Sequence, residues 1–313
     1  MSLGRKIWIA GASGLVGSAI ARRLHSQDGV ELLTPTRAEL DLFDQTAVQR
    51  FVVTSRPDTV ILAAARVGGI AANMSKPVSF LRENLLLQDN VMFAAAQGGV
   101  QTIMFLGSSC IYPRDCAQPM QESSYMTGPL EPTNESYAVA KIAGMRLARA
   151  LAEEKSIRTI LPLPCNVYGP GDHFDPMNSH VLSALVAKFE TARRLQQPTV
   201  TLWGTGSARR EFIHCDDLAD ACLFLLDSYE DLGLINVGTG IDQSIAELAS
   251  LVSERVGFEG GIEWDTSKPD GMPRKVLDVS RLTEAGWAAS TPLPEGIDSV
   301  IADFRSRFPA ERE

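Results

Sequence analysis

Between residues 6 and 162, short β-rich runs alternate with longer amphipathic stretches, and this rhythm constrains the chain more than any other feature. Lys6-Ile-Trp-Ile-Ala10, Val30-Glu-Leu-Leu33, Thr59-Val-Ile-Leu-Ala63 and Thr102-Ile-Met-Phe-Leu106 read as buried strands, and Arg158-Thr-Ile-Leu-Pro162 as a further one. Amphipathic stretches lie near 15–26, 45–54, 77–97 and 134–155. Parallel strands need crossover connections, so this alternation predicts a doubly wound parallel sheet with helices on both faces.

After about residue 165 the rhythm changes. Loops rich in Pro, Gly and Asn, Tyr168 to Asn178 and Gly204 to Ala208, interrupt shorter elements, and 216–237 regains an α-then-β order. The expected division is therefore discontinuous. One domain takes residues 1–165 plus about 215–240, and a smaller C-terminal substrate lobe takes about 166–214 plus 241–313.

The chain of 313 residues, 45% hydrophobic and 21% charged, is long enough for a full core and ordinary for a globular protein. A net charge of −9 disfavours nucleic acid as a partner, since no basic excess exists to neutralise phosphates. The N-terminus lacks the long apolar region of a secretory signal, and no stretch reaches the roughly 20 apolar residues of a membrane span. The five cysteines contain no CxxC pair and cannot close an even disulfide set, which fits a reducing cytoplasm. No His/Cys/Asp spacing suggests a metal site, so none is expected.

Gly11-Ala12-Ser13-Gly14-Leu15-Val16-Gly17 follows the first strand and opens the first helix. Glycines there permit a tight turn and let backbone N–H groups approach a pyrophosphate at the positive helix end. The fold class is thus α/β of the Rossmann type, with a dinucleotide as cofactor. Arg37 falls just after the second strand, where the ribose 2′ position is expected. An arginine there pairs with a 2′-phosphate and favours NADP over NAD; the plain alternative is a solvated loop arginine. Asp41 belongs either to the adenine loop or to a helix cap.

Tyr137-Ala-Val-Ala-Lys141 lies in a helical stretch after the plausible cap Asn134. Spacing of i to i+4 sets phenol and ammonium on one helix face, where the cation can stabilise a phenolate. Ser108 ends the fourth strand at the carboxyl edge where open α/β sheets bind ligands, and a hydroxyl there can hydrogen-bond a substrate carbonyl.

The glycine loop, the serine and the YxxxK motif resemble those of extended short-chain dehydrogenases. Longer stretches are similar to the GDP-L-fucose synthase family: Phe105-Leu-Gly-Ser-Ser-Cys-Ile-Tyr-Pro113, Leu130 through Gly144, Asn178-Ser-His180, Trp203-Gly-Thr-Gly, Arg210-Glu-Phe-Ile-His-Cys-Asp-Asp217 and Lys268 through Lys275. The resemblance spans nearly the whole chain. It implies 3,5-epimerisation of GDP-4-keto-6-deoxy-D-mannose followed by reduction of the C4 ketone with NADPH. It also implies a GDP-sugar as the small-molecule partner and a homodimer.

By the same resemblance Cys110 is the base and His180 the acid, with Ser108, Tyr137 and Lys141 as the reductase set. Leu106, Gly107, Ser108, Lys141, Pro164, Cys165, Asn166, Val167 and His180 fall on further cofactor-binding positions. Lys188, Trp203, Arg210 and Asp270 fall on substrate-binding ones. Each has an ordinary alternative: Cys110 as a small buried thiol, Lys188 on a helix face, Trp203 in the lobe's core, Arg210 paired with Glu211. If Asn178 caps the next helix, His180 lies in its first turn, where the helix dipole lowers imidazole pKa and only ligand phosphates would restore protonation. Asp216 and Asp217 are expected to cap the helix that follows them. Two departures stand out: Ser13 replaces an arginine that some members carry, and Gly171-Asp172 varies a loop near the sugar. The alternatives are a related colitose-type GDP-dideoxysugar epimerase-reductase and, in a different class, a catalytically silent NADP-sensing regulator.

Overall fold

The computed structural model describes residues 5–175, 179–229, 233–268 and 270–309. The β-rich runs form strands β1 (Arg5–Ala10), β2 (Val30–Leu33), β3 (Thr59–Leu62), β4 (Thr102–Phe105) and β5 (Arg158–Pro164). Between them lie helices α1 (Leu15–His25), α2 (Gln45–Ser55), α3 (Ile70–Ser75), α4 (Pro77–Gln97) and α5 (Glu135–Lys155). The six-residue α3 was not expected from the periodicity. The remaining chain forms β6 (Asn166–Tyr168), α6 (Val181–Arg194), β7 (Thr199–Trp203), β8 (Arg209–His214), α7 (Cys215–Ser228) and β9 (Leu234–Val237). It ends with β10 (Asp242–Ser244), α8 (Ile245–Val256), β11 (Gly261–Asp265), β12 (Arg274–Lys275), α9 (Ser280–Glu284) and α10 (Leu293–Arg307).

The main sheet has six strands in the order β2-β1-β3-β4-β5-β9, and every pairing is parallel. Its strands read as continuous apolar runs because helices cover both faces; all four residues of β3 and of β4 are buried. The order reverses between β1 and β3, which opens a crevice at the carboxyl ends of the strands. α5 reaches the back of β4 only because residue 144 is glycine. A Cβ there would lie 2.6 Å from the Phe105 ring and 2.7 Å from Gln88 Oε1.

A second sheet is organised around β8. It pairs with β10 antiparallel and with β12 and β6 parallel, while β7 and β11 form a separate ribbon. Apolar residues of α6, α8 and α10 close a second core over these strands, including Leu185, Phe189, Leu248, Val252, Ile297 and Val300. Glu190 of α6 is buried there with three arginines around it, Arg193 at 2.8 Å, Arg194 at 3.0 Å and Arg305 of α10 at 2.9 Å. Leu277, Leu282 and Trp287 pack into the first core, so the segment after β12 joins the two.

Helix starts follow local chemistry, with two differences from expectation. Asp44 caps α2 by accepting from Ala47 N, and Ser244 with Glu247 forms a reciprocal capping box on α8. Asp216 and Asp217 do not cap α7. His214 does, its Nδ1 accepting from Asp216 N at 3.3 Å, while the two acids occupy the first turn and favour the positive helix end. Asn134 takes the N-cap position of α5 but makes no side-chain cap bond.

Candidate active site

The glycine loop forms the turn the sequence required. Gly11 has φ 96°, and a Cβ there would lie 2.6 Å from Ala64 N, beyond the end of β3. A Cβ on Gly17 would run into the Gly11 carbonyl oxygen. Gly14 begins α1 without a side-chain cap, which leaves the first-turn N–H groups for an anion. Ser13 is exposed at the rim, while Ala12, Leu15 and Val16 are half-buried against the first core. Arg37 is exposed, its guanidinium 5.8 Å from the Phe43 ring centre, and no carboxylate pairs with it among the described residues. Asp41 accepts from Phe43 N at 3.1 Å and so acts as a turn cap. An open glycine cradle at a helix N-terminus, with an unpaired arginine at the end of β2, fits a phosphorylated dinucleotide.

The far side of the crevice is built by β4, β5 and their exits. Leu106 continues the β3 pairing through its N–H to Leu62 O at 3.3 Å, and Gly107 N donates to Pro162 O at 2.9 Å. Pro164 closes β5, and Cys165 N donates to Val237 O at 3.0 Å. Asn166 and Val167 then cross to β8, with Asn166 Nδ2 donating to Glu211 O at 2.7 Å. These residues lie where the large sheet hands over to the small one.

Lys141 is 3% exposed. Its Nζ donates to Leu106 O at 2.8 Å and lies 4.7 Å from the Phe105 ring centre and 5.9 Å from that of Tyr137. Burial lowers its pKa to about 7. Burial, with the charge of Cys110, pushes the Tyr137 phenol up, against a hydrogen bond from Ser108. The ammonium lies over the phenol's ring and is engaged with Leu106, so the protein by itself holds Tyr137 as a neutral acid. The phenolate stabilisation anticipated from the i, i+4 spacing is not seen here. Ser108 has extended backbone after β4, and its hydroxyl accepts from Cys110 N at 3.2 Å.

Cys110 sits on the short turn that follows. Lys275 Nζ lies 3.2 Å from its Sγ. Burial would raise the thiol's pKa, but the Lys275 charge, hydrogen bonds from Ser108 and Lys275, and the His180 charge together lower it. Lys275 arrives on β12, in register with Arg210 of β8. It is a candidate site residue that the sequence reading missed: it closed the last motif, but only the β12–β8 pairing brings it to a thiol 165 residues away.

His180 is the N-cap residue of α6, and Asn178 lies outside the described residues. Its Nδ1 is 3.3 Å from both oxygens of Asp172. Burial disfavours the imidazolium, yet the hydrogen bond and charge of Asp172, with the charge of Cys110, raise the pKa overall. The expected lowering by the helix end is thereby reversed by a neighbouring carboxylate, with no ligand phosphate required. Asp172, noted from sequence only as a departure in a loop, is the second missed residue.

Arg210 borders this group. Burial lowers its pKa against the charges of Cys110, Glu131 and Asp270. It does not pair with Glu211, because successive residues of β8 face opposite sides. Glu211 is fully buried and accepts from Thr239 N, Gly240 N and Leu277 N at 2.6, 2.7 and 2.8 Å. Asp270 accepts from Thr205 N at 2.7 Å and from its hydroxyl at 2.8 Å, which holds the turn after Trp203. Trp203 is 58% exposed, outside the lobe's core, with Lys268 Nζ 5.8 Å from its ring centre. Lys188 is exposed on α6, donating to Thr201 O at 3.3 Å. His214, Cys215 and Asp216 bring three ligand atoms within 4.8 Å of one another. Arg22 already pairs with Asp216 at 2.6 Å, however, and a cation in that place disfavours a metal ion.

A Rossmann-type sheet with a glycine cradle at its switch point, and Ser108, Tyr137 and Lys141 across the crevice, defines a nicotinamide-dependent enzyme of the extended short-chain dehydrogenase class. The profile of the NAD dependent epimerase/dehydratase family matches residues 7–238, and the chain belongs to that family. GDP-L-fucose synthase 1 of Arabidopsis thaliana is 50% identical over 295 residues, which cover 94% of this chain and 91% of that protein. GDP-L-colitose synthase of Yersinia pseudotuberculosis is 38% identical over 301 residues, 96% of this chain and 97% of that one. The crystal structure of a GDP-L-fucose synthetase from Naegleria fowleri bound to NADP superposes with a TM-score of 0.91 at 26% identity, covering 100% of this chain and 96% of that one. Among the described residues no helix is long and apolar enough to cross a membrane.

Proposed function

We propose that the chain is a bifunctional enzyme that epimerises C3 and C5 of GDP-4-keto-6-deoxy-D-mannose and then reduces C4, giving GDP-L-fucose. The observation that carries this reading is the pair of charge-supported proton-transfer groups beside the reductase set: a thiol against Lys275 Nζ at 3.2 Å and an imidazole against Asp172 at 3.3 Å. A simple reductase has no use for either.

C3 and C5 both flank the ketone, so each C–H is acidified through an enolate. Lys275 favours the Cys110 thiolate, which takes the proton from one face of the sugar. Asp172 favours the His180 imidazolium, which returns a proton to the other. The hydroxyls of Ser108 and Tyr137 face the C4 oxygen and share its charge in the enolate. NADPH, when bound, supplies the hydride for C4. Tyr137, held neutral, gives its proton to the C4 oxygen in that step, and Lys141 holds the cofactor's ribose beside it. Arg210 and Lys188 suit the diphosphate, Trp203 offers a flat face to a ring, and Asp270 serves the substrate by shaping the 204–206 turn. Arg37 takes the 2′-phosphate.

The division of labour follows: residues 1–165 with about 215–240 hold the cofactor, and about 166–214 with 241–313 hold the GDP-sugar. Two copies pair through α4 and α5, whose outer faces expose Phe93 at 44% and Val139 at 40%. The five free cysteines fit a cytoplasmic enzyme. The identity to a colitose synthase supports a second reading, a dideoxy-ketosugar substrate; a silent NADP sensor would need none of the Cys110 and His180 apparatus.

The test is incubation with GDP-4-keto-6-deoxymannose and NADPH in heavy water, using wild type and Cys110→Ala. Wild type should place deuterium at both C3 and C5, and the variant at neither. Equal incorporation in both would remove Cys110 as the base, and incorporation at C5 alone would favour the dideoxy substrate.

A further inference from the structure

We infer that Asp172 is the positioning residue for the acid, and that the last helix, α10, belongs to the catalytic apparatus because it holds Asp172 in place. The inference rests on the reading of His180 as the acid.

Asp172 is 2% exposed. A carboxylate this buried is unfavourable unless partners replace its water. Its partners here are Ser183 Oγ, donating to Oδ2 at 2.5 Å, His173 N at 2.8 Å and the His180 ring. No lysine or arginine side chain pairs with its carboxylate among the described residues, so His180 supplies the counter-charge. His180 and Ser183 stand one turn apart at the start of α6 and grip the same carboxylate, which selects one ring orientation. A carboxylate against Nδ1 keeps the proton on that nitrogen and turns Nε2 outward. The groups that bear on the charge of His180 are then Asp172 from the loop after β6 and Cys110 from the turn after β4.

The loop itself is tied to α10 at successive backbone groups. Gly171 N donates to Asp303 Oδ2 at 3.0 Å, and Arg307 Nη1 donates to the Asp172 carbonyl at 2.7 Å. Arg307 also bridges to Asp303 at 3.0 Å and lies 5.0 Å from the Phe174 ring centre. Gly171 has φ 91°, a conformation side-chain-bearing residues rarely adopt. The two ties of α10 therefore hold a glycine turn whose next residue faces the acid.

The experiment follows the Cε1–H resonances of the four histidines against pH in wild type, Asp172→Asn, Asp172→Glu and Arg307→Gln. The same proteins are assayed for solvent deuterium entry at C3 and C5, with melting curves as a check of folding. In Asp172→Asn the His180 midpoint should fall by about one pH unit or more, because the imidazolium loses its counter-charge. The acid form is lost as pH rises through that midpoint, so the upper limb of the exchange profile should move down equally. Asp172→Glu should recover part of both. Arg307→Gln keeps the carboxylate and should slow exchange roughly three- to tenfold with the limb unmoved, the mark of misplacement rather than changed protonation. An unmoved His180 midpoint in Asp172→Asn overturns the assignment. Wild-type exchange in Arg307→Gln removes α10 from it, and that arm stands even if Asp172→Asn does not fold. Undiminished inversion at C3 and C5 in His180→Asn would instead refute the acid reading itself.

Discussion

Replacing Lys275 with methionine is the sharpest probe of the proposed base, because it removes a charge and keeps most of the volume. At 3.2 Å and an effective dielectric near 20, the lysine–thiolate attraction is about 5 kcal/mol. Solvent at the half-buried thiol screens part of this, leaving about 2–3 kcal/mol of thiolate stabilisation that the variant loses. The thiol's pKa is depressed in the wild type, so the thiolate is present above that lowered value and disappears as pH falls through it. Losing that stabilisation raises the thiol's pKa and cuts the thiolate fraction near neutrality by up to about a hundredfold. A more basic thiolate is also a better base, and a Brønsted slope near 0.5 returns about tenfold. The expected result is an epimerisation rate down about tenfold at pH 7, with the acid limb of the profile moved up and the deficit erased at alkaline pH. Deuterium entry at C3 and C5, measured against pH without NADPH, reads this directly. The thiolate's ultraviolet absorbance, followed in wild type and Cys110→Ser, gives the titration independently. A uniform loss at all pH values with an unmoved limb would refute the reasoning and leave Lys275 as a substrate contact.

Tyr137→Phe should lower ketosugar-dependent NADPH oxidation by about 10²–10⁴-fold while deuterium exchange falls far less, because only reduction needs its proton. Arg37→Ser should raise the KM for NADPH about 10- to 100-fold and leave that for NADH nearly unchanged, measured by initial rates with each cofactor. At Glu190 burial works to raise the carboxyl pKa, but Arg193, Arg305 and Arg194 hold it at about 2, against 4.5 ordinarily. That difference contributes about 3 kcal/mol of stability, fully present above about pH 4.5 and lost as pH falls toward about 2. Urea unfolding at about pH 7 and about pH 3 should show a flatter pH dependence in Glu190→Gln; an unchanged slope would mean the arginine cluster contributes nothing.

Much of the architecture was legible because its signals are local. Each strand of the cofactor half reads as an apolar run, and Gly11 and Gly17 announce a turn that side chains would block. Tyr137 and Lys141 share a helix face by spacing alone, and Lys141 Nζ does lie 5.9 Å from the Tyr137 ring centre. What spacing does not show is that the ammonium also donates to Leu106 O and that burial leaves Tyr137 a neutral acid. α3 stayed hidden because six residues carry too little periodicity. The cap of α7 was misjudged because an imidazole nitrogen did the work that Asp216 usually does.

By itself, then, the chain's order of residues determined a doubly wound sheet, a dinucleotide cradle and the residues that line the crevice. The sheet and the cradle follow from periodicity and glycine geometry set within a few residues, and most of the crevice residues from the family resemblance. Only the tertiary structure set which charges stand beside Cys110 and His180, the proposed base and acid. Lys275 comes to Cys110 through the pairing of β12 with β8, and Asp172 comes to His180 through a turn held by α10. A pKa answers to burial and to the distance of other charges in space, and neither quantity is written in the spacing of residues along the chain.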